Sequence, residues 1–289
     1  LWRILVPYCT RRGVSLPNLT RAVSAGAPLG IDVVRDLRAL LPADGDVFTP
    51  YGATEALPVA VISGEELMPL AKRIAAGEGT PVGRAAPGIE ICILDSDATH
   101  LSVMDPERAM AQGRLGEVLV RGPVVTQAYD AAPDAQAAAK LADPRGKPDW
   151  HRMGDMGHLD TAGLLWFLGR KSHCLTTSDG LRPPVGVENV FLAHGSLARC
   201  ALVGRGPAGA EQPVLIVEPK AGHFPKSPQA QKTFRDELKA LARSSQASAD
   251  IEVFLFHSSL PVDPRHNSKI HRGELKVWAA AQPLPSTSQ

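Results

Sequence analysis

"PYGATEALPV", residues 50–59, sets an aromatic ring, a hydroxyl and a carboxylate (Tyr51, Thr54 and Glu55) around Gly52 within five residues. A turn explains the glycine but not the three polar chemistries beside it. A flat ring can stack on a purine, a hydroxyl can donate to a phosphate oxygen, and a carboxylate can hold a hard cation such as Mg2+. Upstream, "IDVVRDLRALL" (31–41) carries Val33, Val34, Leu37, Leu40 and Leu41 at helical spacing. Pro42 and "ADGD" stop that helix, and "DVFTP" reads as a short strand entering the motif.

Downstream the texture changes to short strands: "IEICIL" (89–94), "GEVLVR" (116–121) and "LLWFLG" (164–169). "DMGHLDTAGLLWF" reads as a hairpin turning over Asp160–Gly163. Residues 130–149, rich in Ala, Asp and Pro, read as a surface loop with at most one helical turn. Beyond Gly169-Arg170, strands and helices mix: "ARCALVG", "PVLIVEP", a helix over "QKTFRDELKALARS", then "IEVFLF". Phe234, Leu238 and Leu241 give that helix one apolar face. These patterns predict a larger first domain over residues 1–170 and a small α+β domain over 171–289.

The 289 residues are 44% hydrophobic, enough to bury a sizeable core. Lys+Arg total 31 and Asp+Glu 30, so no global field draws the chain to nucleic acid or an anionic membrane. No apolar run approaches the roughly 18 residues of a membrane helix. Cys9, Cys92, Cys174 and Cys200 are scattered and form no CxxC pair. That usage predicts reduced thiols and a cytoplasmic location. The chain opens on Leu1 in "LWRILVPYC", which predicts a piece of a longer polypeptide.

Four further polar clusters accompany "YGATE". In "SAGAPLG" (24–30), Gly26 admits unusual backbone angles or close approach of a ligand, although a turn before a helix also fits. "GEVLVRGPVVTQAY" (116–129) alternates as a strand and reads as scaffold. In "WHRMGDMGHLD", Asp155 on a tight loop could accept two hydrogen bonds from a ribose diol, or serve ordinary turn chemistry. In "LPVDPRHNSKI", Lys269 is either a solvated charge or a group that neutralises charge developing in a transition state.

Taken in order, "SAGAPLG", "YGATE", "GEVLVRGP", "WHRMGD", "GRK", "VENV" and "NSK" resemble the adenylate-forming superfamily of acyl-CoA synthetases, luciferases and peptide-synthetase adenylation domains. The resemblance implies an α/β fold. The C-terminal part of the large domain, α/β with a small β-rich subdomain, would be followed by a small mobile α+β domain. It implies ATP and Mg2+ as cofactors, and an acyl-adenylate that an acceptor then captures with loss of AMP. By that resemblance Tyr51 and Gly52 would flank the adenine, Thr54 would bind the α-phosphate and Glu55 would hold Mg2+. Gly26, Ala27 and Pro28 would line the adenine and acyl pocket. Asp155 and Arg170 would approach the ribose, and Lys269 would bridge carboxylate and phosphate during adenylation. The family's Gly- and Ser/Thr-rich phosphate loop, upstream of "YGATE", is absent. The resemblance therefore covers roughly the second half of a family member, and the chain alone is expected not to form acyl-adenylate at a useful rate. Robust ATP–pyrophosphate exchange by the chain alone would overturn this. At the junction, Ser172 stands where many relatives have Asp or Lys, while the segment around Gly180, closed by Glu188, resembles the loop that enters the site in the second half-reaction.

Within the superfamily, "YGATEALPVAVISG" and "PRHNSKIHRGEL" look most like the β-lactone synthetases of bacterial long-chain olefin biosynthesis. Those use no CoA. They activate a 2-alkyl-3-hydroxy fatty acid whose own β-hydroxyl attacks the acyl carbon. The implied partners are that long-chain β-hydroxy acid and other enzymes of the same pathway, with no nucleic acid and no integral membrane segment. A fatty acyl-CoA ligase and a non-catalytic interaction module are the alternatives. His173, His266 and His271 lie near motifs, and none is assigned as a base.

Overall fold

The computed structural model describes residues 1–98, 101–263 and 269–283. His266, Asn267 and Ser268 of the late motif lie outside the described residues. In chain order the elements are α1 (Trp2–Arg12), β1 (Arg21–Val23), α2 (Ile31–Arg38), β2 (Asp46–Ala53), β3 (Ala56–Ser63), α3 (Gly64–Leu67), α4 (Ala71–Ala75), β4 (Thr80–Ala85), β5 (Glu90–Leu94), β6 (Gly116–Arg121), α5 (Pro133–Ala139), β7 (Lys140–Leu141), β8 (Trp150–Leu159) and β9 (Leu165–Arg170). They continue with β10 (Leu175–Thr177), β11 (Gly180–Arg182), α6 (Pro184–Leu192), β12 (Leu197–Arg205), β13 (Gln212–Pro219), α7 (Pro228–Ala242), β14 (Val253–Phe256) and α8 (Arg272–Ala281).

The chain divides into two compact units, Leu1–Ala71 with Pro81–Phe167, and Lys72–Thr80 with Leu168–Gln289. In the first, the strands run β1-β2-β3-β4-β9-β8-β6-β5, with β7 on β8. β1 and β2 are parallel, with Val23 opposite Phe48, while β2–β3, β5–β6 and β6–β8 are antiparallel. The predicted 31–41 helix ends at Arg38, and Val34 and Leu37 are its buried stripe. The predicted strands at 89–94, 116–121 and 164–169 are β5, β6 and β9 to within a residue. The Asp160–Gly163 hairpin turn is also present, with Gly163 N–H donating to Asp160 O and Asp160 N–H to Leu164 O.

Residues 130–149 differ from the surface loop that their composition predicts. They contain the seven-residue α5 and then β7, where Lys140, Leu141 and Asp143 are buried. β7 pairs with β8, Lys140 opposite His151, so this segment caps the sheet.

In the second unit, β12, β13 and β14 form a three-stranded sheet, antiparallel then parallel. Its alternating residues feed two cores. Cys200, Leu202, Leu215, Val217 and Phe254 pack with Val190 and Phe191 of α6 and Phe234 and Leu238 of α7. Val203, Val214, Ile216 and Leu255 pack with Leu275 and Ala279 of α8. A β-strand presents successive side chains to opposite faces, so one sheet can serve a helical layer on each side. Ser227 caps α7 by accepting from Ala230 N–H, and Pro228 takes the first helical position. Lys72–Thr80 joins this unit through Ser245 Oγ donating to Ala76 O at 2.5 Å and Asn189 Nδ2 donating to Thr80 Oγ1 at 3.2 Å.

All four cysteines are free. Burial pushes the Cys174 thiol up to about 12, and it raises that of the fully enclosed Cys200 well above the ordinary range.

Candidate functional site

β1 and β2 run parallel, so the chain leaves both at the same sheet end, where α/β proteins collect ligands. From β1 emerges the Gly26–Ala27–Pro28 bend, with Gly26 at φ 90°, a backbone angle that only glycine adopts without strain. Ser24 N–H donates to Phe48 O at 3.0 Å, which ties the start of this bend to β2.

From β2 emerges the opening motif. Tyr51, Gly52 and Ala53 are the last residues of the strand, and Thr54–Glu55 form the two-residue turn into β3. The motif is therefore a tight hairpin between two strands. The pairing register slips between Tyr51 and Ala53, and a Cβ on Gly52 would sit 2.3 Å from Ala56 O. The backbone crosses itself there, and no side chain fits. The hairpin presents Thr54 to solvent and holds Glu55 half-buried.

Asp155 lies within the ten-residue β8, not on the tight loop expected from its flanking glycines. It is 3% exposed. Tyr51 Oη donates to Asp155 Oδ2 at 2.6 Å, and the Tyr51 ring leans on Phe167 at 6.1 Å between centroids. Two residues assigned to separate parts of a nucleotide thus form one polar wall.

Glu55 anchors a second polar group. Tyr129 Oη donates to Glu55 Oε1 at 2.9 Å, and Thr126 N–H donates to Glu55 O at 2.8 Å. Lys140 Nζ in turn donates to Thr126 O. Burial works to raise the Glu55 carboxyl. Its own backbone N–H, the Tyr129 hydroxyl and the nearby His151 and Lys140 outweigh burial and hold it below the usual carboxylate range. Burial and Lys140 lower the His151 imidazole, against the pull of Glu55. His151 is 3% exposed, and its Nδ1 has no hydrogen-bond partner among the described residues.

Tyr129, Lys140 and His151 were not assigned from sequence. Tyr129 sits inside "GEVLVRGPVVTQAY", whose alternation reads as scaffold, and His151 inside "WHRMGDMGHLD", where Asp155 is the residue that points to chemistry. Lys140 carries no local signal, because it is buried by β8 and not by its own neighbours.

The second unit carries the other two assigned residues. Arg170 is the exposed last residue of β9. Lys269 is exposed at the foot of the late loop, where its carbonyl accepts from Asp263 N–H at 2.9 Å. Gly180 opens β11 in the short β10–β11 hairpin, and Glu188 is buried on α6.

A single half-buried carboxylate such as Glu55 suits magnesium, which keeps several waters and takes further ligands from phosphates. Among the described residues, no cluster of three His, Cys, Asp or Glu stands ready for a metal held by protein groups alone. No described helix is long and apolar enough to cross a membrane.

Residues 2–130 match the family described as AMP-binding enzyme. The chain is 43% identical over 281 residues to an olefin beta-lactone synthetase of Stenotrophomonas maltophilia, covering 96% of this chain and 50% of that protein. It is 41% identical over 285 residues to an olefin beta-lactone synthetase of Xanthomonas campestris pv. campestris, covering 98% and 50%. The chain thus spans about half the length of these curated relatives. The fold is shared with o-succinylbenzoate coenzyme A synthetase from Bacillus subtilis, solved in complex with ATP and magnesium ion. The TM-score is 0.67 at 20% identity, over 94% of this chain and 50% of that one.

Proposed function

We propose that this chain, whose residues 2–130 belong to the AMP-binding enzyme family, supplies the nucleotide-gripping loops and the mobile small domain of an ATP-dependent, AMP-forming β-lactone synthetase. On this reading residues 1–170 are the C-terminal part of the large adenylation domain and 171–289 the small one. The observation that carries it is the bond that joins Tyr51, on the hairpin that also bears Thr54 and Glu55, to Asp155 of β8. The olefin beta-lactone synthetases at 41–43% identity support the choice of product.

In the first half-reaction a carboxylate oxygen of the acid attacks the α-phosphorus of ATP. The bond from that phosphorus to the bridging oxygen breaks, and pyrophosphate leaves with the electron pair. Tyr51, with Gly26, Ala27 and Pro28, would border the adenine. Asp155 would accept from the ribose hydroxyls while keeping the Tyr51 phenol on Oδ2, and Arg170 would approach the same sugar. Thr54 would donate to the α-phosphate, and Lys269 would bring its ammonium between carboxylate and phosphate as negative charge develops. Glu55 would hold Mg2+, which when bound screens the phosphate charges.

In the second half-reaction the substrate's own β-hydroxyl oxygen attacks the activated carbonyl carbon. AMP leaves, the hydroxyl proton is lost, and a four-membered lactone remains. The nucleophile is tethered, so proximity replaces the binding of a second substrate. The substrate is a 2-alkyl-3-hydroxy long-chain acid, and enzymes that make or consume such molecules are its expected neighbours in the cytoplasm.

The test mixes the full-length gene product with Mg·ATP and a 2-alkyl-3-hydroxy fatty acid without CoA, and follows AMP and organic product by mass spectrometry. The expected product is one water lighter than the acid and forms with AMP, with NMR distinguishing lactone from unsaturated acid. Product that waits for CoA, and is then a thioester, would replace this reading with an acyl-CoA ligase.

A further inference from the structure

Among the buried charges of the second unit, one ion pair has no place in the reading above, and it stands next to Lys269. Arg272 is the first residue of α8, three positions after Lys269. Its guanidinium meets Glu188 of α6 in a fork, with Nη2 donating to Oε2 at 2.8 Å and Nη1 to Oε1. The two side chains are 13% and 9% exposed. Arg272 Nη1 also donates to Leu202 O at 3.2 Å, and Glu188 Oε1 accepts from Leu202 N–H at 2.7 Å. The pair therefore ties α6, β12 and the start of α8 at one point. Planar bidentate pairing fixes direction as well as distance, which a lysine in the same place cannot do.

The start of α8 needs such a tie. His271 occupies its N-cap position and makes no capping bond to the helix backbone. Between Lys269 and the helix, backbone bonds stitch the chain: Val262 bridges Ile270, Asp263 N–H donates to Lys269 O, and His271 N–H donates to Pro261 O. Ile270 also packs on the core beneath α8, and His271 Nδ1 meets Glu274 Oε1 at 2.9 Å. The backbone bonds hold one edge of a ribbon. The Arg272–Glu188 fork adds a buried side-chain fixed point three residues beyond Lys269.

We propose that the Arg272–Glu188 fork is a positioning device for Lys269, setting where its ammonium lies when the acid is adenylated. The proposal rests on the assignment of Lys269 made above. A charge that acts only in the transition state loses its effect when its backbone is displaced by about 1 Å, so the fork should govern the rate of adenylation more than substrate binding.

The test is a double-mutant cycle on the full-length gene product with Lys269→Ala, Arg272→Lys and the combination. It measures pyrophosphate release at varied ATP and acid, together with thermal unfolding of each variant. Arg272→Lys keeps the charge and loses the fork. The expected result is a kcat fall of about 10-fold with the KM for ATP within about twofold, and no further fall when Arg272→Lys is added to Lys269→Ala. Equal fractional losses in the two backgrounds would overturn the positioning role while leaving the Lys269 assignment intact. An unchanged kcat in folded Arg272→Lys would do the same. If Lys269→Ala alone releases pyrophosphate at the native rate, the assignment and the proposal fall together. Glu188→Gln, which can still accept from Leu202 N–H, carries the same cycle if Arg272→Lys does not fold.

Discussion

On one face of β8, Arg152 grips Glu117 through two bonds, of 2.6 and 3.1 Å, and donates to Ala98 O at 3.0 Å, while Trp150 packs under Arg121 and donates to Asp143. On the other face, His151 and Asp155 meet Lys140 across the ladder and the phenol of Tyr51. The first face answers each charge with an opposite charge. The second leans on neutral phenols, from Tyr51 to Asp155 and from Tyr129 to Glu55. A buried ion pair is costly to break from one side and gives little back to a ligand. A carboxylate oriented by a phenol keeps its negative charge for something else. On the proposed reading, the difference separates scaffold from site on a single strand.

The sharpest way to break this contrast is to remove one partner of the scaffold pair. Glu117→Ala, which strands Arg152 in the interior, should cost about 3–5 kcal/mol in urea unfolding. Replacing both, as Glu117→Leu with Arg152→Met, should recover most of that loss, because no charge is then left buried without its partner. A pair that behaved like the Tyr51–Asp155 wall would instead show a loss of about 1 kcal/mol for the single change.

Asp155→Asn should do the reverse. Unfolding should shift by about 1 kcal/mol, since the amide oxygen still accepts from Tyr51. In the full-length gene product, kcat/KM for ATP should fall about 10- to 100-fold, the worth of a hydrogen bond to a charged acceptor. Retained nucleotide kinetics with collapsed stability would place Asp155 with the scaffold.

Tyr129→Phe is the mildest probe. It removes a bond that lowers the Glu55 carboxyl, so that carboxyl should titrate closer to its ordinary value in a carbon-13 NMR titration. The sign for stability follows. A carboxyl lowered in the folded state contributes stability fully present above its unfolded value, near 4.5. That contribution is lost as pH falls through the folded value. The native chain should therefore exceed Tyr129→Phe in stability at pH 7, and this part of the gap should close on acidification.

The strands at 89–94 and 116–121 were legible because alternation is a local property, and the α7 face because its period is local too. The order of short motifs singled out Tyr51, Thr54, Glu55 and Asp155 as candidates, and the structure joins Tyr51 to Asp155, although the hairpin at Thr54–Glu55 and the strand around Asp155 were not legible. Glycine in both places suggested loops, whereas one of them marks backbone crossing backbone within a ladder. Lys140 and the Lys72–Thr80 segment escaped for a deeper reason. Their environments are built by residues far along the chain, β8 for the one and Asn189 and Ser245 for the other. Polar, Ala-rich composition describes a segment in isolation and says nothing of what covers it.

The free cysteines make the molecule convenient to label. Cys9 and Cys200 are enclosed, and the Cys174 thiol is pushed up to about 12. Cys92 is also raised, chiefly by burial. At neutral pH a cysteine placed at exposed Thr54 or Lys269 would hold more thiolate than Cys174, whose thiol burial pushes up to about 12. A maleimide dye should therefore react at the introduced position faster than at half-buried Cys92 and Cys174, whose thiols burial raises.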